Sequence, residues 1–130
     1  MMKTATRLKT ATLATVMALG TMTTAMAADY GKATTIEYVT FQAKDGVAVD
    51  AMASAAAGGA INANLTAHYD GFVDRHVSLQ DDGVWVEVVY WESQDAAKAA
   101  LEKFLTDPVN TAFLDLVNVD TVAITYSAIK

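Results

Sequence analysis

Two runs rich in β-branched and aromatic residues, 72–80 and 84–92, flank the turn triplet Asp81-Asp82-Gly83. An Asp-Gly turn between alternating apolar runs is a strong short-range hairpin signal, so this stretch must fold back on itself as an antiparallel pair. With an even-length loop, alternation puts Arg75, Val77 and Leu79 on the face of Val86, Val88 and Tyr90. The opposite face then gathers Asp74, His76 and Ser78 with Trp85, Glu87, Val89 and Trp91. A bulged three-residue loop would reverse that parity.

The hairpin has a helix and a strand on either side. Residues 35–43 carry Ile36, Tyr38, Val39 and Phe41 and end in the turn Lys44-Asp45-Gly46, which predicts a first strand apolar on both faces. Residues 47–68 are Ala-rich, with Val49, Met52, Ala56, Ala60, Ala63 and Ala67 at helical spacing. Gly58-Gly59 sits in the middle of that run, and each glycine costs about 1 kcal/mol against alanine, so a break is expected there. Ser93 is a good N-cap, with Asp95 in the first turn of a helix that runs to Thr106 and buries Ala97, Ala100, Leu101, Phe104 and Leu105. Asp107-Pro108 interrupts it, a short helical piece follows through Phe113 and Leu116, and residues 122–129 read as a last strand. Strand, helix, strand, strand, helix, strand is the βαββαβ order of an α+β, ferredoxin-like domain: a four-stranded antiparallel sheet with helices on one face. Apolar residues on the other face call for a second sheet, which a homodimer supplies most simply.

The N-terminus reads differently. Lys3, Arg7 and Lys9 precede an apolar stretch over residues 11–19, and Ala25-Met26-Ala27 offers a cleavage site before Ala28. Residues 1–27 are expected to be a signal peptide, residues 28–34 a flexible polar lead-in, and residues 35–130 one domain, periplasmic or secreted. The apolar run is too short for an anchor of about 20 residues, so no membrane anchor is expected after cleavage. None of the 15 Asp and Glu residues lies in that leader, so the mature chain is more acidic than the formal net charge of −6. That argues against nucleic acid as a partner. Without cysteine there are no disulfides, thiolate metal sites or cysteine nucleophiles.

Gly71-Phe72-Val73-Asp74-Arg75, the Asp82-Gly83-Val84-Trp85 turn and Val88-Val89-Tyr90-Trp91-Glu92-Ser93 before an Ala-rich helix resemble the antibiotic biosynthesis monooxygenase-like domains of the dimeric α/β-barrel superfamily. The resemblance covers nearly all of residues 35–129. It implies a ligand pocket between sheet and helices, with the opposite sheet face closing a dimeric barrel. Members include cofactor-independent oxygenases of aromatic polyketides, haem-degrading enzymes and domains without assigned activity. Trp91 resembles the pocket tryptophan of the haem-degrading members, but Phe113 falls where their haem-ligating histidine sits, and Val39 where they carry an asparagine. Haem degradation is therefore not implied, and no cofactor is expected.

From the residues themselves, the sharpest constellation is His76 facing Glu87, with Trp85, Trp91 and Asp74 nearby. A carboxylate beside an imidazole suits a general base, and equally an ordinary cross-strand ion pair. His68 with Asp70, and His76 with Asp74, lack repeated ligand spacing, so no metal site is expected. Three functions remain open: binding of an apolar or aromatic small molecule, cofactor-independent oxygenation of a phenol or quinol, and a non-catalytic structural or interaction module. A pocket of about 300 Å³ or more beside His76 would disfavour the last.

Overall fold

A computed structural model describes residues 27–130, so the expected leader lies outside the described residues but for its last position. The chain forms β1 (Thr35–Ala43), α1 (Val49–Ala57), α2 (Ala60–His68), β2 (Phe72–Leu79), β3 (Trp85–Trp91), α3 (Gln94–Thr106), α4 (Thr111–Leu114) and β4 (Val117–Ala128). The strands make one antiparallel sheet in the order β2-β3-β1-β4, so the expected ferredoxin-like α+β arrangement is the one observed.

Local chemistry sets the boundaries. The Ala-rich helix breaks where expected: α1 ends before Gly58, and Gly59 adopts φ 88°, a left-handed value that glycine reaches without steric penalty. Ser93 caps α3, its side chain accepting from the Ala96 N–H at 3.0 Å. The last strand begins five residues before the expected Val122, because Val117 pairs with Ala43 and Asn118 with Gln42 ahead of a register shift in β1. Polar Asn118 and Asp120 hide this extension from an alternation pattern. Thr121 bridges the irregularity, accepting from the Gln42 N–H at 2.8 Å while donating to the Asn118 carbonyl at 2.6 Å.

The hairpin loop decides the faces of the sheet. Gln80 and Val84 still bond across the turn, at 2.9 Å, leaving Asp81, Asp82 and Gly83 as a three-residue loop with Gly83 at φ 84°. Leu79 therefore stands opposite Trp85, Val77 opposite Glu87 and Arg75 opposite Val89. The even-loop expectation is corrected: Arg75, not His76, shares a face with Glu87. His76 pairs with Val88, and Asp74 with Tyr90, on the other side of the sheet.

The core lies between the helices and the face bearing Phe41, Trp85, Val89 and Trp91, against which Met52, Ala56, Ile61, Leu65, Ala97 and Phe113 pack. Gly71 brings the start of β2 against α3. Its φ is 78°, and a Cβ there would stand 2.8 Å from the Ala96 Cβ. Gly71→Ala combines a strained backbone with overpacking, so it is expected to cost about 2 kcal/mol or more. A lower urea midpoint at unchanged slope is the measurement that checks this.

Candidate functional site

A cavity of about 130 Å³ lies between the sheet and the helices, lined by all four strands and by α2, α3 and α4. Val39, Phe41, Val89, Phe104 and Phe113 form its apolar wall. Leu105, Val119 and Val122 also line it and are themselves exposed, which marks the side that opens to solvent. The volume is below the roughly 300 Å³ that would have disfavoured a purely structural module, and the cavity is on the other side of the sheet from His76.

Three ionisable side chains reach this cavity, on three neighbouring strands. Arg75 on β2 and Glu87 on β3 are both buried and form a two-pronged ion pair, with Nη2 3.0 Å from Oε1 and Nε 3.3 Å from Oε2. Arg75 also donates through Nη1 to the Ala56 carbonyl at 2.6 Å and to Asn62 Oδ1 at 3.0 Å. Its guanidinium thus ties the end of α1 and the start of α2 to the sheet. The third is Glu37 on β1, opposite Val89 on β3 and Tyr126 on β4. Glu37 is 8% exposed. Its Oε2 has no hydrogen-bond partner among the described residues, and neither has the indole Nε1 of Trp91.

Burial pushes the Glu37 carboxyl up to about 7, with the nearby Glu87 charge in support and Tyr126, Trp91 and Arg75 pulling the other way. Its ordinary value is 4.5, so between that and about 7 the folded chain holds a proton that the unfolded chain has lost. Stability therefore falls as pH rises through that window, by about 3 kcal/mol in all, and the loss is complete above it. Melting curves from pH 4 to 8 should show the decline. Glu37→Gln should flatten it, with its largest gain over the wild type at pH 8.

The residues singled out from the sequence separate into two groups. Val39, Glu87, Trp91 and Phe113 line the cavity. Trp85 is buried beside it in a stack on Phe41, with ring centroids 6.4 Å apart. His76 and Asp74 belong to the other sheet face, where Tyr30, from a short 3-10 turn in the lead-in, joins them. The Tyr30 hydroxyl donates to Asp74 and lies 2.9 Å from His76 Nε2, which is 2.9 Å from Asp74 Oδ2. Bonding to Asp74 pushes the Tyr30 hydroxyl up to about 12. His76 is exposed and has no access to the cavity, so it cannot act on a molecule held there.

The sequence reading overlooked Glu37. The available signal was its position two residues before Val39 and four before Phe41, which puts an acid on the apolar inner face of a strand.

Comparison with solved structures matches this fold. A monooxygenase from the gene ActVA-Orf6 of Streptomyces coelicolor, solved with nanaomycin D, is 18% identical over 79% of this chain and 95% of its own, with a TM-score of 0.58. A variant of SnoaB, a cofactor-independent oxygenase from Streptomyces nogalater, is 23% identical over 75% and 95%, with a TM-score of 0.54. A putative antibiotic biosynthesis monooxygenase from Chloroflexus aurantiacus is 13% identical over 74% and 93%, with a TM-score of 0.51. The chain has the antibiotic biosynthesis monooxygenase-like fold. No protein-family model matches the sequence, and no curated protein matches it. Identities this low establish the monooxygenase-like fold, while the chemistry must be argued from the site.

Proposed function

We propose that this monooxygenase-like domain binds an apolar, aromatic small molecule in the cavity between sheet and helices, and that it does so as an exported homodimer. The observation that carries the reading is the cavity wall, in which Val39, Phe41, Val89, Phe104 and Phe113 surround a space of about 130 Å³. Apolar cavities of about 150 Å³ accommodate benzene, so one aromatic ring is the appropriate size. Toluene added to the protein should raise its melting temperature in proportion to the logarithm of concentration once binding saturates. No shift at any soluble concentration would refute the reading. Dimerisation would cover Tyr38, Val88 and Tyr90 on the open sheet face, where Tyr38 is 40% exposed. Light scattering tests that part, and intact mass of the exported form tests cleavage before Ala28.

A second reading, cofactor-independent oxygenation of a phenol or quinol, is supported by Glu37. A carboxyl near 7 inside an apolar cavity is suited to accept a proton at neutral pH, a role His76 cannot fill from the opposite face. Oxygen uptake with monocyclic phenols and quinols, abolished in Glu37→Gln, is the result this reading requires.

A further inference from the structure

We propose that Glu37 and Trp91 form a recognition site for a hydroxyl group, so that the cavity selects a monocyclic phenol over a hydrocarbon of the same size. The inference rests on the cavity being a ligand site. Thr35 stands opposite Trp91 and Glu37 opposite Val89, which makes Glu37 and Trp91 diagonal neighbours on adjacent strands and on the same face. Both are more than nine-tenths buried, and both line the cavity. Glu37 Oε2 and Trp91 Nε1 lack hydrogen-bond partners among the described residues.

A buried polar group without a partner is costly, and here two such groups sit together on a wall that is apolar apart from the mutually paired Arg75 and Glu87. One is an acceptor and the other can only donate. The complementary ligand group must donate to the carboxylate and accept from the indole N–H. A hydroxyl does both through one oxygen. An ammonium group donates but leaves the indole unanswered, while an ether accepts but leaves the carboxylate unanswered. The remaining charged groups facing Glu37 do not replace the ligand: Arg75 and Glu87 are engaged with each other, and Arg75 also with Ala56 and Asn62. Tyr126, the β4 neighbour, and Trp91 itself both lie near enough to the Glu37 carboxyl to favour its charged form, but neither makes a hydrogen bond of normal geometry to Oε2.

Titrations with phenol, anisole, toluene and benzylammonium at pH 8, followed by NMR or calorimetry, test the inference. Phenol should bind at least tenfold more tightly than anisole or toluene. Glu37→Leu should erase that preference while toluene still binds, and Trp91→Phe should weaken phenol severalfold with little change for toluene. Glu37→Gln, which keeps an acceptor, should retain part of the preference but lose its rise between pH 5.5 and 8. Equal binding of phenol and toluene overturns the hydroxyl site and leaves the ligand cavity standing. Tightest binding of benzylammonium also overturns it, in favour of cation recognition. Failure of every probe, toluene included, overturns the cavity reading as well.

Discussion

Arg75→Ala should destabilise the domain by about 3–5 kcal/mol, because it strands the Glu87 carboxylate inside the core and releases the Ala56 carbonyl and Asn62 from their shared donor. For a domain of this size that corresponds to a melting-temperature loss of roughly 12 °C or more. Arg75 is 3% exposed and Glu87 7%, so solvent cannot take over either role. The double variant Arg75→Met, Glu87→Leu removes both charges at similar volume, and it should recover most of the loss. Chemical denaturation of Arg75→Met, of Glu87→Leu and of the double variant closes the cycle. If Arg75→Ala costs less than about 1 kcal/mol, the pair is not the tether described above.

Phe41→Ala should cost a similar amount, about 3–5 kcal/mol, by a different mechanism. Phe41 is 2% exposed, stacks on Trp85 and meets Phe113 edge-on at 5.5 Å between ring centroids. Truncation loses those contacts and merges the vacated space with the neighbouring cavity. The enlarged cavity should then accept a two-ring hydrocarbon. Naphthalene should stabilise Phe41→Ala more than the wild type in parallel melts, since a ligand that binds only the folded state raises its stability. A variant that loses stability but gains no response to naphthalene would show that the core collapses into the gap.

Much of the fold was legible because each element carries its own signal. Asp82-Gly83 marks the hairpin, Gly58-Gly59 the helix break and Ser93 the start of α3, and none of these depends on distant contacts. The site was less legible, since it depends on which way side chains point. One residue in a loop decides that, and the composition Asp81-Asp82-Gly83 allows either an even or an odd turn. His76 was therefore matched with Glu87, whereas the structure matches Arg75 with it and places His76 beside Tyr30. Tyr30 lies 46 residues away in sequence, in a segment without periodicity, so no local pattern announces the contact. Glu37 was hidden differently: its phase puts it on the face of Val39 and Phe41, but in a strand apolar on both faces that phase alone does not tell which face is the core.

The three-residue turn at Asp81-Asp82-Gly83 also limits how this chain can vary over evolutionary time. Surface turns ordinarily tolerate insertions, but a length change here would preserve the fold only if the bonding at Gln80 and Val84 absorbed it. Otherwise one strand slides by a residue against the other, and its two faces exchange. His76 and Asp74 would enter the cavity, Asp74 would bring a second carboxylate close to Glu87, and Arg75 would be expelled into water. Drift in this turn should therefore run through substitution at the two aspartates, while its length and the left-handed residue at position 83 stay fixed.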